Sequence, residues 1–254
     1  SANAVHLAPL VAEWQGTGTP VLLLGGRRGQ IMQIDVYDNP AGNYNVAIAG
    51  TSGSGKSLLL NEIAAAYLGT GARVWIIDVG RSYEKACRNF GGSFIEFTED
   101  AALSLNPFPL VEDIDEDMEL LQPLLAQMVS PRESLDGFQY STLGAAIKKV
   151  WKAKGRAMTV TDIHDLLATG RLDDDDASSS AEGDRRLKDL AAMLHPYTRD
   201  GAYGKYFDSE ASIDFGADLI VLELEELKSK KDLQTVVLLI VMYRITREMY
   251  FSRD

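Results

Sequence analysis

The octapeptide GTSGSGKS at 50–57 constrains this chain more than any other stretch. It fits the pattern G-x-x-x-x-G-K-[ST] and lies between an apolar run, YNVAIAG at 44–50, and a helix-forming run that opens at Lys56. Each position has a physical reason. Gly50, Gly53 and Gly55 permit a tight backbone path that turns successive N–H groups inward as an anion nest. The start of the helix adds the positive end of its dipole. Lys56 is placed to reach the β- and γ-phosphates of a nucleoside triphosphate, and the Ser57 hydroxyl to ligate the Mg2+ that bridges them. The expected nucleotide-binding residues are Gly50, Thr51, Ser52, Gly53, Ser54, Gly55, Lys56, Ser57 and Leu58, with Lys56 catalytic, Ser57 on the metal, and ATP and Mg2+ as cofactors.

The surroundings read as an α/β core. YNVAIAG is expected to be a buried strand, and KSLLLNEIAAAYL at 56–68 has the apolar spacing of an amphipathic helix that GTG at 69–71 closes. RVWIID at 73–78 and GGSFIEF at 91–97 read as further strands, the first of them buried, with a short helix between Arg81 and Phe90. This β-α-β-α-β order implies a mainly parallel sheet with helices on its faces. Upstream, TPVLLLGGRRGQIMQIDVY at 19–37 reads as a β-hairpin turning at its glycines.

Beyond LNPFP at 105–109 helical windows follow one another, near 115–129, 136–153, 161–168 and 182–194. Pro123 falls inside a window, which must kink there or begin with a shorter turn. DDDDASSSAEGD at 173–184 is a charged, serine-rich segment expected to be a mobile surface loop. Strand character returns at ADLIVLEL, 217–224, and the chain then runs as one long helix over 230–251, whose middle is apolar on nearly every face and so expected to be buried between other elements. The implied organisation is a hairpin segment over 1–45, the first part of the core over 46–105, a helical insert over 106–212 and a return to the core over 213–254.

Composition excludes several classes. With 46% apolar residues in 254, the chain has the make-up of a globular protein. Its 37 acidic against 25 basic residues leave −12, which argues against a chain-wide nucleic-acid surface while leaving a local basic groove open. Twelve of the carboxylates fall at 112–119 and 171–184, within the insert, so the region of the glycine loop remains free to take an anion. A single cysteine, Cys87, allows neither an intrachain disulfide nor a cysteine-based zinc site, and fits a reducing compartment. The longest apolar run, VVLLIVMY at 236–243, is far short of the roughly 20 residues a helix needs to span a bilayer. The opening SANAVHLAPL carries no secretory signal and no initiator methionine, so the chain reads as cut from a longer polypeptide.

Other residues carry two readings each. Asp78, at the end of RVWIID, either holds a magnesium-bound water at the carboxyl edge of the sheet or simply begins the turn DVGRS. Glu223, Glu225 and Glu226 are candidates to orient an attacking water, set against exposed glutamates where a strand becomes a loop. Arg185, Arg186, Arg244 and Arg247 are either charge-neutralising fingers or ordinary solvated and salt-bridged helix positions. His6, His164 and His195 show no metal-ligand spacing, and Cys87 reads as a small buried side chain.

Taken in order, the hairpin GTGTPVLLLGGRRGQ, the loop GTSGSGKS, VWIIDVGRSYEKAC, LSLNPFP, and GAYGKYFD ahead of LIVLELEEL resemble the ATPase domain of the TraC-like conjugative type IV secretion ATPases over nearly the whole chain. The resemblance implies a RecA-like P-loop core with a helical domain inserted after LNPF. It further implies ATP hydrolysis that powers pilus assembly and substrate transfer, a homo-hexamer, and a place on the cytoplasmic face of the inner membrane beside other secretion components. The same resemblance implies an acidic Walker B strand just after the long helix, whereas the sequence stops at Asp254. The expectation is therefore a piece of a larger enzyme that binds ATP and Mg2+ but turns it over poorly by itself. Two other classes remain open: a P-loop kinase for a small acceptor, with the insert as lid and Arg185 and Arg186 as clamp, and a non-catalytic module that nucleotide locks into an assembly. Protein handling is favoured over DNA translocation by the charge.

Overall fold

The computed structural model describes residues 14–26, 28–98, 103–172, 181–208, 213 and 215–251. Two compact units divide the chain: residues 1–95 with 215–222, and residues 96–214 with 223–254.

In the first unit, strands β1 (Leu22–Gly25) and β2 (Ile31–Ile34) form the expected antiparallel hairpin, with Leu22 opposite Ile34 and Gly25 opposite Ile31. Alternation puts Leu22, Leu24, Met32 and Ile34 half-buried on one face and Leu23, Ile31 and Gln33 exposed on the other. Gly16 approaches β2 so closely that a Cβ there would lie 1.7 Å from the Gln33 carbonyl oxygen, which only glycine permits. Helix α1 (Lys56–Gly69) follows the glycine loop. Tyr67, near its end, ties it to the hairpin: its hydroxyl donates to Asp35 Oδ1 at 2.8 Å and accepts from the Val36 N–H at 2.7 Å.

The sheet consists of β3 (Val74–Asp78), β4 (Ser93–Glu96) and β5 (Leu219–Glu223), parallel and in the spatial order β3-β5-β4. The last strand in sequence therefore enters between the two earlier ones. Helix α2 (Glu84–Asn89) covers it, bringing Tyr83 and Cys87 onto Leu219 and Val221, with Leu68, Val74, Ile76 and Phe94 packed around them. The Val74 N–H donates to the Asp218 carbonyl at 2.7 Å, and Trp75 stacks on Phe215 at 5.1 Å. β5 is buried along its whole length, as a central strand should be. The sequence expectation of a buried β3 is not met: Val74, Trp75, Ile76 and Asp78 are half-buried and Ile77 is exposed.

The expected strand at 44–50 does not form. Its residues carry no strand pairing, and Tyr44 and Val46 are exposed. An extended run becomes a strand only where a neighbour completes its ladder, and none of the described residues does so.

The second unit is helical: α3 (Ile114–Val129), α4 (Gly137–Lys154), α5 (Val160–Ala168), α6 (Ala181–Leu194) and α7 (Lys231–Phe251). All four expected windows of the insert are helices, and Pro123 lies inside α3. Residues 173–180 of the acidic segment lie outside the described residues, and 181–184 open α6. Leu121, Leu125, Leu143, Ile147, Ile163, Leu167, Leu190 and Leu194 build the core, each burial contributing about 1.5–3 kcal/mol. At the junction LSLNPFP, buried Asn106 donates to the Met158 carbonyl at 3.1 Å and accepts from the Phe108 N–H at 3.3 Å.

The final helix, which the sequence reading grouped with the core, packs on α3 within this unit. It buries Leu233, Val236, Val237, Ile240 and Tyr243 but leaves Leu239 and Met242 exposed. Burial of its middle between other elements was the expectation, and it is corrected here: α7 meets its neighbours along one stripe only.

Candidate functional site at the glycine-rich loop

Gly53 and Gly55 adopt positive φ, 76° and 92°, where a side chain would be strained. A Cβ at Gly50 would lie 2.5 Å from Ser54 Oγ, so a side chain there would force the Ser54 hydroxyl to turn aside. The loop closes on itself through the Ser54 N–H, which donates to the Thr51 carbonyl at 3.2 Å, and α1 begins with the Leu59 N–H donating to the Gly55 carbonyl at 2.9 Å. The first N–H groups of a helix have no intrahelical acceptor. At α1 no side chain caps them and no acid stands in the first turn. These donors lie at an exposed helix start, the kind of position whose free N–H groups and dipole favour an anion.

Lys56 Nζ lies across the loop and donates to the carbonyls of Gly50 and Thr51, at 2.8 Å each. The Lys56 ammonium thus sits beside the amide donors, on two neutral acceptors among the described residues. Ser57 and Leu58 are exposed in the first turn, Leu58 at 68%. The glycine geometry, the uncapped helix start and the movable ammonium all fit a phosphate chain, and the exposed Ser57 hydroxyl fits a divalent cation bound to it.

Asp78 ends β3, and its Oδ2 accepts from the Ser82 N–H at 2.6 Å, so this carboxylate does organise the following turn. Glu223 differs from expectation. It is 1% exposed rather than solvated, and its Oε1 accepts from the Glu225 N–H at 2.8 Å. Glu225 is half-buried and Glu226 exposed, as a strand end implies.

Two of the candidate finger arginines are committed within the second unit. Arg186 pairs with Asp136 and lies 4.1 Å above the Phe138 ring. Arg247 is held by Asp117 at 3.0 Å, by Glu112 at 3.8 Å and by the Leu110 carbonyl, while the Tyr243 hydroxyl donates to Asp117 at 3.1 Å. Burial pushes the Tyr243 phenol well above its ordinary value. Arg185 is exposed and Arg244 half-buried. The His164 and His195 rings lie 5.7 Å apart, tilted by 47°, His6 lies outside the described residues, and no group of metal-ligating side chains occurs among those described. Cys87 is buried and its thiol is pushed up by that burial, as an inert core cysteine should be.

One residue of this site escaped the sequence reading. Asn61 Oδ1 is buried without a hydrogen-bond partner, a condition that costs about 1–3 kcal/mol. The signal was available: Asn61 continues the polar end of the stripe Ser57, Asn61, Ala64, Leu68 on α1, whose other end faces the core.

A parallel sheet with helices against it and a glycine loop opening a helix defines a P-loop NTPase fold. The chain belongs to the TraG P-loop domain family, whose profile matches residues 21–252. It is 33% identical over 254 residues to Protein TraC of Escherichia coli (strain K12), covering 98% of this chain and 28% of that relative. The chain thus spans about a quarter of the length of the curated relative it matches. In three dimensions it resembles VirB4 of Thermoanaerobacter pseudethanolicus, with a TM-score of 0.71 at 19% identity over 91% of this chain and 65% of that one. It also resembles the bacterial conjugative coupling protein TrwBdeltaN70, with a TM-score of 0.50 at 17% identity over 78% and 50% of the two chains. Among the described residues no helix is long and apolar enough to cross a membrane.

Proposed function

We propose that this chain is the nucleotide-binding motor domain of a conjugative type IV secretion ATPase. One observation carries the reading: the loop at 50–57 leaves an uncapped, acid-free helix start beside a lysine ammonium that rests on the Gly50 and Thr51 carbonyls, in a chain of the TraG P-loop family. ATP is the proposed ligand. The amides of residues 50–58 hold its phosphates, and Lys56 exchanges the Gly50 and Thr51 carbonyls for phosphate oxygens. The Ser57 hydroxyl ligates Mg2+, and Asp78 meets the metal through water with the oxygen it does not share with Ser82. Magnesium supplies charge neutralisation between the β- and γ-phosphates.

In the longer protein the proposed role is hydrolysis that drives pilus assembly and substrate transfer. The proposed setting is a homo-hexamer on the cytoplasmic face of the inner membrane, with other secretion components as partners. The proposed organisation keeps a hairpin segment over 1–45, a core over 46–105 and 213–254, and a helical insert over 106–212. A small-acceptor kinase is disfavoured because Arg186, half of its expected clamp, is spent on Asp136 and Phe138. Calorimetric titration of ATP and Mg2+ into Lys56→Ala tests the reading: affinity is expected to fall about a hundredfold, and unchanged binding would refute the loop assignment.

A further inference from the structure

Tyr37 and Tyr44 are 63% and 49% exposed, yet their rings lie together, 5.3 Å between centroids and tilted by 47°. Tyr67 backs the pair, edge-on to Tyr37 at 5.6 Å. It stands near the far end of α1 from Lys56, roughly 16 Å along the helix, so this surface is separate from the glycine loop. The loop between the two exposed tyrosines is tied by its own side chains. Asn39 Nδ2 donates to the Asn43 carbonyl at 2.6 Å, Asn43 Oδ1 accepts from the Asn45 N–H at 3.0 Å, and Gly42 turns the chain at a φ of 69°. Large aromatic rings held in place at a surface are favoured anchors of an interface, because little freedom remains to be lost on binding.

The charge around the rings decides what they fit. Asp35 Oδ1 accepts from the Tyr67 hydroxyl at 2.8 Å and from the Tyr37 N–H at 2.9 Å, and Asp38, next to Tyr37 in the chain, accepts from the Thr19 hydroxyl at 2.8 Å. Neither carboxylate has a cation partner among the described residues, and the sequence holds no lysine or arginine from Gly29 to Gly55. A nucleic acid meets two unneutralised carboxylates here and is repelled. A second copy of the chain brings a net charge of −12, whereas a cationic segment supplies the missing sign. Of the cationic side chains, arginine suits an aromatic face best, since its planar guanidinium stacks on the ring while its N–H fork reaches a carboxylate.

We propose that the Tyr37 and Tyr44 surface docks an arginine-bearing segment of a partner protein, with the guanidinium stacked on a tyrosine face and the carboxylates of Asp35 and Asp38 balancing its charge. The inference stands apart from the nucleotide reading, because every residue in it lies outside the glycine loop.

The test titrates this chain into two labelled glycine-rich peptides, one carrying arginines and the other lysines at the same positions, and reads fluorescence anisotropy. The wild type is expected to bind the arginine peptide at least about threefold more tightly than the lysine peptide. Tyr44→Ala should lower the arginine affinity about fivefold and erase that preference, while Tyr44→Phe, which keeps the ring, retains both. Asp38→Asn should weaken both peptides about threefold, and Glu133→Gln, which removes the same charge from an exposed position of the helical unit, should leave them within about 1.5-fold. Should Tyr44→Ala melt early, Tyr44→Leu, which keeps apolar bulk without a π face, carries the same comparison. Equal binding of the two peptides by the wild type, or an arginine preference that survives in Tyr44→Ala and Tyr44→Leu, would overturn the proposal. So would an oligothymidine bound more tightly than the arginine peptide and released by the same variants, or a dimer of the chain that light scattering shows to depend on Tyr44. A Glu133→Gln loss as large as that of Asp38→Asn overturns it as well, since the attraction then belongs to the acidic chain as a whole.

Discussion

The amino termini of α1 and α4 meet the same physical obligation in opposite ways. At α4, Asp136 Oδ1 accepts from the Gln139 N–H at 2.8 Å and Gln139 Oε1 accepts from the Asp136 N–H at 3.0 Å, a complete capping box. α3 is similar, with Asp113 accepting from Asp115 and Glu116 and three acids in its first turn. At α1 the cap is Gly55, no side chain serves the free N–H groups, and the first turn holds no acid. A similar contrast separates two particular cations. Arg247 is enclosed by carboxylates, whereas Lys56 rests on two backbone carbonyls. In the helical unit polar groups are spent on the fold, and at the glycine loop they are left to be spent on something else.

That comparison can be broken in order of expected effect. Asp117→Ala removes the buried partner of Arg247 and is expected to destabilise the chain by about 3 kcal/mol while leaving ATP affinity intact, read by urea unfolding beside calorimetry. Lys56→Ala should do the reverse, weakening ATP and Mg2+ about a hundredfold, roughly 2.7 kcal/mol, with an unchanged unfolding midpoint. Asp136→Ala deletes the α4 cap and should cost about 1 kcal/mol of stability. Equal responses of stability and affinity in these three variants would erase the division of labour.

Leu58→Glu would give α1 the acidic first turn that α3 already has. Because Leu58 is exposed, the change is expected to stabilise the helix by about 0.3–1 kcal/mol while repelling the phosphates, and thermal melting with and without ATP separates the two effects. The smallest effect at neutral pH concerns Tyr67, whose phenol burial and neighbouring Asp35 push up to about 12, against the opposing hydrogen bond from Val36. A raised folded-state value means that the native state holds its proton more tightly than the unfolded chain. Its contribution is complete below about pH 10 and is lost as pH rises toward 12. Unfolding measured between pH 8 and 11.5 should show that slope in the wild type and less of it in Tyr67→Phe.

Much of the site was legible without coordinates because its chemistry is local. Glycines that need positive φ, a lysine and a serine at fixed offsets, and a helix start all lie within nine residues, Gly50 to Leu58. The four helical windows of the insert were legible for the same reason, since capping signals such as Asp136 with Gln139 lie three residues apart. Glu223 was misjudged because the residues LEEL around it look like a solvated strand end, and only packing from elsewhere in the chain buries it. The segment 44–50 was overread: its apolar run satisfies a strand pattern, but a strand is a pairing and not a property of one segment.

By itself, then, the sequence determined the glycine turn that opens α1, the hairpin and the succession of helices, all of which depend on groups a few bonds or one turn apart. Tertiary structure alone decided that β5 enters between β3 and β4, although more than a hundred residues separate it from either in the chain. It likewise decided that Arg247 is spent on Asp117, 130 positions away, and that the oxygen of Asn61 is buried without a donor. The physical reason is common to all three. Backbone preferences and helix spacing act over short stretches, whereas burial and pairing are set by whichever distant segment the fold brings alongside.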